Sequence, residues 1–431
     1  MNLRRVTRVC AIGLLAAATG LAVGVTWLNR ALPSPFDVES ARGIDTPELR
    51  QRGAYLARAA NCHGCHTVPG GAAFAGGRPI ATPFGTVYAG NLTPDDANGL
   101  GRWTLADFDR ALRQGRSRDG RLLVPAFPFQ QFMHLQDEDV RALFAWLRSQ
   151  PAVPMPNRAH ELRFPYGLDI AQALWRARYV TRWPLPPPQG QPGPAVVDAR
   201  WQRGRYLVEV LGHCRACHAP RDALGGPHDS MAGGGGSRVG PQQWLAPSLH
   251  AAGEAGVADW TEDDIVALLQ SGVSARGSAL GPMAEVVFGS TQYLDDGDLR
   301  AMAHYLRRLP QAPVAAPAVV AAPEAALSEG ARLYEKHCAA CHGREGQGLP
   351  GAIAPLAGNR AVLMDSPVHV LTVLRHGGFM PTTALQPRPW GMPPFAGVLD
   401  AGQMASLASF IRQSWGNRAG AVSELDVLKL Q

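Results

Sequence analysis

An all-α chain of three tandem, mutually similar units behind one apolar N-terminal helix is the fold class this sequence predicts. Three observations carry the prediction. The pattern Cys-x-x-Cys-His recurs at 62–66, 214–218 and 338–342, and an uninterrupted apolar run covers 9–28. Gly (48) and Pro (36) are abundant while aromatics are only 7%, which favours loops and short helices over large sheets. The 431 residues suit about two to four domains. With 46% apolar against 18% charged residues, such domains can bury real cores.

The first element is the run Val9–Leu28, preceded by Arg4, Arg5 and Arg8. About 20 residues at 1.5 Å rise span roughly a 30 Å hydrocarbon core, so the sequence predicts a transmembrane helix within an N-terminal segment 1–35. A cleaved secretory signal is the competitor, although its apolar region usually runs about 7 to 15 residues. Either reading exports the chain, and the arginines ahead of the run leave everything after residue 30 outside the cytoplasm.

The three units follow at 45–150, 196–310 and 326–418. Each opens with a helix carrying Gly and then Tyr before its first Cys: Gly53 and Tyr55, Gly204 and Tyr206, Gly330 and Tyr334. Each closes with an amphipathic helix, the first through Val140, Leu143, Phe144 and Leu147. Trp146, Tyr305 and Phe410 hold similar places on those closing helices. A Gly on one helix admits a bulky aromatic from another, so the first and last helices of each unit are expected to cross there. The middle helices start at Trp103-Thr104 and Trp260-Thr261, each Thr with an Asp three residues on, as in a capping box; Ser366-Pro367 opens the third. Gly115, Gly272 and Gly377 stand where a left-handed cap would end them.

Between the units, residues 151–195 form a Pro-rich connector with Pro186-Pro187-Pro188 and a short amphipathic helix near Leu168–Trp175. Residues 311–325 read as an extended Pro/Ala spacer, Gly233–Gly236 as a flexible loop, and 419–431 as a tail. The net charge of +6 comes almost wholly from dispersed Arg, Lys336 and Lys429 being the sole lysines. That pattern excludes a nucleic-acid reader.

The repeated cysteine pattern demands a chemical explanation. Two thiols three positions apart reach the two vinyl groups of one porphyrin, and the next residue supplies the imidazole that ligates iron, which is the chemistry of c-type haem. Cys62, Cys65, Cys214, Cys217, Cys338 and Cys341 would hold three covalent haems, with His66, His218 and His342 as proximal iron ligands. Zinc would want a complementary second pair of ligands for each unit, and disulfides would not require a His after every second Cys. Cys10 falls inside the apolar run.

A sixth ligand decides whether such a haem carries electrons or binds small molecules. In the second unit Met283, in Gly-Pro-Met-Ala, precedes the closing helix and is the expected ligand; Met302 reads as core and Met231 falls in the glycine segment. In the third, Met392 of Gly-Met-Pro-Pro is expected, with Met380 as rival and Met364 and Met404 assigned to packing. The first unit has Phe127 at the corresponding place. Met133 is then the candidate, His134 the alternative, and an open iron the third possibility. His63, His213 and His337 beside the cysteines read as edge residues.

These motifs resemble the membrane-bound three-haem cytochrome c subunits of periplasmic alcohol, gluconate, fructose, aldehyde and N-heterocycle dehydrogenases. Matching stretches are Asn61-Cys62-His63-Gly64-Cys65-His66-Thr67, Thr82-Pro83-Phe84-Gly85-Thr86, Arg203-Gly204-Arg205-Tyr206, Cys217-His218-Ala219-Pro220-Arg221 and Met392-Pro393-Pro394-Phe395. The resemblance implies three tandem class I-like cytochrome c domains at the bacterial inner membrane, with the haem domains in the periplasm. It implies transfer from a separate catalytic dehydrogenase subunit (molybdenum/iron-sulfur, flavin or quinoprotein) toward ubiquinone or a terminal oxidase, with no catalysis on this chain. Pro125-Ala126-Phe127-Pro128, where alcohol-dehydrogenase-like members carry Met, leans toward a molybdenum hydroxylase partner, although the following His of those proteins is Gln131 here. Two other functions stay open: a peroxidase-like enzyme at an open first haem, and a free-standing electron shuttle.

Overall fold

The computed structural model describes residues 3–37, 39, 43–180, 198–227, 237–240, 242, 244–312 and 319–430. Pro186-Pro187-Pro188, Met231, the Gly233–Gly236 tract and Pro313 and Pro317 of the spacer lie outside the described residues.

Helix α1 (Leu3–Leu28) comes first. The membrane-spanning helix expected over 9–28 is corrected here, because among the described residues no helix is long and apolar enough to cross a membrane. Its C-terminal end is committed to protein contacts. Val25 and Asn29 are buried, and the Asn29 side-chain amide donates to the carbonyls of Val25 and Ala173, each at 2.9 Å. Arg176 in turn donates to Asn29 Oδ1 at 3.1 Å.

The first unit comprises α2 (Pro47–Ala59), α3 (Cys62–His66), the hairpin β1 (Pro79–Thr82) and β2 (Gly85–Tyr88), then α4 (Leu105–Gln114), α5 (Phe129–Phe132) and α6 (Asp137–Arg148). The connector adds β3 (Glu161–Leu162) to β2 and then forms α7 (Asp169–Tyr179), against which the end of α1 rests. It packs, as its amphipathic segment predicts.

The second unit runs through α8 (Ala199–Arg205), α9 (Arg215–His218), β4 (Arg238–Val239), β5 (Trp244–Leu245), α10 (Glu262–Ser271), β6 (Val273–Ser274), β7 (Gly277–Ser278), α11 (Pro282–Gly289) and α12 (Asp296–Arg307). The third has α13 (Glu324–His337), α14 (Ala339–His342), α15 (Arg360–Leu363), α16 (Val368–His376), β8 (Gly378–Phe379), β9 (Gly391–Met392), α17 (Ala401–Gln413) and α18 (Glu424–Leu428). The all-α expectation is therefore corrected to a mainly helical fold with small antiparallel sheets. Most of these strands are two residues long, too short for a period-two pattern to register in sequence.

The helix crossings form at the glycines. A Cβ on Gly53 would stand 2.0 Å from the Ala142 carbonyl oxygen and 2.6 Å from Trp146 Cβ. On Gly204 it would meet the Ala301 carbonyl at 2.0 Å and Tyr305 Cβ at 2.8 Å, and on Gly330 the Ser406 carbonyl at 2.4 Å and Phe410 Cβ at 2.6 Å. Opening and closing helices thus approach backbone to backbone, which only a missing side chain permits. The spacing is not constant: Gly53 precedes Cys62 by nine positions and Gly330 precedes Cys338 by eight, whereas Gly204 precedes Cys214 by ten. The additional residue is absorbed where α8 widens into a π turn over Tyr206–Leu211.

The capping boxes Thr104–Asp107 and Thr261–Asp264 are complete in both directions, and Gly115 and Gly272 end their helices in the left-handed region. Gly377 has positive φ but extended ψ, so it turns the chain without forming that cap. Apolar side chains of the first two units merge into one continuous core, from Leu56 and Phe144 to Leu207 and Leu306, while the third unit has its own around Leu371, Leu407 and Ile411.

Candidate haem-attachment sites

Each Cys-x-x-Cys-His segment begins or forms a single helical turn, which places its two thiols one turn apart and the His immediately after. The six thiols are unpaired. Burial pushes those of Cys62 and Cys214 up to about 12 and that of Cys338 up to about 11, so they are neutral in apolar surroundings. Among the described residues no group of three or more His, Cys, Asp or Glu is placed to hold a metal ion by itself.

His66 Nδ1 lies 2.7 Å from the Gly90 carbonyl, and His218 Nδ1 lies 2.7 Å from the Pro247 carbonyl. A carbonyl only accepts, so each Nδ1 carries the proton and each Nε2 presents its lone pair. Burial holds both rings below the usual imidazole range and keeps them neutral. A ring fixed in that tautomer by an outer carbonyl is the arrangement metal-ligating His adopts. His342 is oriented more loosely: its ring lies near the Ala354 carbonyl, but its buried Nδ1 has no hydrogen-bond partner.

A cavity of about 530 Å³ runs continuously from the second motif to the third. Cys214, Cys217 and His218 line one part of it with Met283; Cys338, Cys341 and His342 line the other with Met392. Its remaining wall is mostly aliphatic, but the indole Nε1 of Trp260 and Nε2 of His369 are buried in it without hydrogen-bond partners. An apolar slot with thiols, an imidazole and orphaned polar atoms suits a large planar group with a polar edge, and the residues present fit haem.

Met283 stands in the first turn of α11, half-buried against the core. Met392 is in β9 opposite Gly378. Its rival Met380 and the packing candidates Met302 and Met364 also line the cavity and are more deeply buried. Met404 lies in the third core. In the first unit Phe127 packs on Phe132, ring centroids 5.6 Å apart. Met133 closes α5, and His134 follows it, held below the usual imidazole range by burial and by Arg205. Of the three neighbouring histidines, His63 packs on Phe74, His213 on Phe132 and His337 on Phe395, and the latter two also line the cavity.

The sites adjoin in chain order. α11, which bears Met283, ends against the first motif: a Cβ on Gly289 would stand 2.6 Å from Asn61 Oδ1, and Ser290 Oγ donates to the Ala59 carbonyl at 3.1 Å. Cys65 and Cys217 are near enough to act on each other electrostatically. Between the second and third units, Arg360 pairs with Asp259 at 2.7 Å and Pro381 covers Gly272. Sequence reasoning took Trp260 only as the start of a helix and passed over His369. The Trp-Thr recurrence at 103 and 260 was the one signal that could have marked the former.

Comparison with known proteins agrees with this chemistry. A family model described as cytochrome c matches residues 51–151, and one described as cytochrome c oxidase, cbb3-type, subunit III matches residues 325–411. The chain is 37% identical over 436 residues to the alcohol dehydrogenase (quinone) cytochrome c subunit of Gluconacetobacter polyoxogenes, covering 96% of this chain and 88% of that protein. It is 36% identical to the gluconate 2-dehydrogenase cytochrome c subunit of Pantoea cypripedii, covering 89% of each. It is 32% identical over 415 residues to the fructose dehydrogenase cytochrome subunit of Gluconobacter japonicus, covering 86% of this chain and 80% of that protein.

Proposed function

Since the chain belongs to the cytochrome c subunits of dehydrogenase complexes, with covalently bound haem c, we propose that it is the electron-transfer component of such a complex, its substrate being oxidised on a separate catalytic chain. We propose three haems, one on each motif, in domains at about 45–150, 196–310 and 326–418. The observation that carries the count is the repeat itself: each unit has the two thiols, the half-buried His and the Gly-aromatic crossing that frames them. Bound haem supplies a one-electron couple.

The chain's own residues set the conditions for that couple. The Gly90 and Pro247 carbonyls fix the proximal rings of the first and second sites, and the cavity at the second and third motifs is walled mostly by aliphatic side chains. Met283 and Met392 are the proposed sixth ligands in the second and third sites, and Met133, with His134 as alternative, in the first. The adjoining of Cys65 with Cys217, and the cavity shared by the second and third motifs, make the second site the middle of a series.

The exported location and an acceptor of the ubiquinone or terminal-oxidase type complete the proposal, with the haem domains on the periplasmic side of the bacterial inner membrane. They are supported by the basic residues ahead of the N-terminal apolar run, a pattern that a secretory signal also carries, and by the likeness to a quinone-linked alcohol dehydrogenase component. Among catalytic partners, Pro125-Ala126-Phe127-Pro128 favours the molybdenum hydroxylase type over flavin or quinoprotein. The test is purification through a C-terminal tag with haem counting and identification of co-purifying chains. Three haems per chain and a cofactor-bearing dehydrogenase partner are expected; a lone chain that binds peroxide at an open iron would overturn the reading.

A further inference from the structure

We infer that His369 donates a hydrogen bond to a propionate carboxylate of haem at the seam between the second and third sites. The inference rests on the three-haem reading above. His369 belongs to the third unit, in the first turn of α16, yet α16 packs on β5 of the second unit. β5 ends two residues before Pro247, the carbonyl that orients His218. His369 lines the cavity that both motifs share, and its Nε2 is buried there with no partner.

Neutral or protonated, an imidazole can present an N–H at Nε2. Of the other polar groups lining this cavity, Arg276 is exposed and the orphaned Asn61 Oδ1 is an acceptor. Arg360 is engaged by Asp259, and Glu254 accepts from the Ser248 amide at 2.6 Å. Trp260 Nε1 is another buried donor in the cavity lining without an acceptor. Buried donors are almost always satisfied. The strong acceptors that haem brings into such a cavity are its two carboxylates, whereas its iron takes the imidazole and thioether already assigned. Orphaned donors in the lining of a cavity shaped for haem therefore point to its carboxylates, and His369 is the donor supplied from across the unit boundary.

The carboxylate could belong to the second or the third haem, and the experiment separates them. Midpoint potentials of the full-length, haem-loaded chain are measured by spectroelectrochemical titration for wild type, His369→Phe and His369→Gln. Met283→Leu and Met392→Leu identify the second and third components. Losing the donor leaves the carboxylate charge less compensated and favours ferric iron. One potential should fall in His369→Phe by up to roughly a tenfold change in the ferric-to-ferrous ratio, about 59 mV for a one-electron couple. Gln, which keeps an N–H donor, should recover part of the shift. Movement of the second component assigns the carboxylate to that haem, and movement of the third to the other. Unchanged potentials in His369→Phe with haem content intact overturn the inference. A wild-type chain lacking the second or third haem overturns the count and the inference together, and the haem assay distinguishes this from a failure of the bond alone.

Discussion

Tyr55 of the first unit donates its hydroxyl to Asp298 on the closing helix of the second at 2.6 Å, and Tyr206 of the second returns the bond to Asp139 of the first at 2.5 Å. Each aspartate is also held within its own unit, Asp139 by Arg52 and Asp298 by both Arg203 Nε and Nη2. The arginine secures the acid at home, while the tyrosine crosses. Burial first, and then the facing carboxylate, push both phenols well above their usual range, so they remain donors throughout the physiological range.

Removing either crossing hydroxyl should loosen the paired units without touching the third. Tyr55→Phe and Tyr206→Phe are each expected to cost about 1–2 kcal/mol, the loss of a hydrogen bond to a charged acceptor. Calorimetry should show a lowered transition for the merged core and an unmoved one for the third unit.

The glycine crossings predict a steeper loss. Gly330→Ala would drive a Cβ to 2.4 Å from the Ser406 carbonyl, a backbone atom that moves only with its helix, and should cost roughly 1–3 kcal/mol. Gly397→Ala, with nothing within 4 Å of its added carbon, is the control and should be near neutral. Denaturant midpoints compare the two.

Replacing a proposed sixth ligand should alter one redox component at a time. Methionine ligation raises the potential of a haem, so Met283→Ala and Met392→Ala should each lower one midpoint. Met380→Leu should leave all potentials in place. A shift in Met380→Leu with none in Met392→Ala would exchange their roles.

A pH effect follows from His160, whose ring nitrogen accepts the Tyr88 amide at 3.2 Å and ties the connector to β2. Burial, then Arg121, hold its folded value below the ordinary 6.5. The unfolded chain therefore takes up this proton first. The contribution is present in full above about pH 6.5 and is lost as pH falls toward the depressed folded value. His160→Gln should flatten the stability slope between pH 7 and 5, measured by urea unfolding.

The chain discloses its chemistry and its helices more readily than its seams. Cys-x-x-Cys-His announces itself because the chemistry needs five consecutive residues, and the Gly-aromatic crossings recur in three copies that can be laid over one another. Tyr55–Asp298 joins residues 243 positions apart in different repeats, and no local pattern encodes it. The sheets escape for another reason: Gly378–Phe379 and Gly391–Met392 are too brief to show alternation. The apolar run at 9–28 has the length of a membrane span, yet the folded chain uses its end as a docking point for α7, with Asn29 as the latch. His369 was unreadable because its surroundings belong to another unit.

The unequal division of the apolar interior also bears on descent. The first two units share one core and cannot be parted without exposing it. The third closes its own and meets its neighbour through Arg360, Pro381 and the cavity wall. Exchange of coding segments near residue 312 would keep each hydrophobic core whole but would open the cavity the second and third motifs share, so any substituted terminal module must bring its own half of that wall.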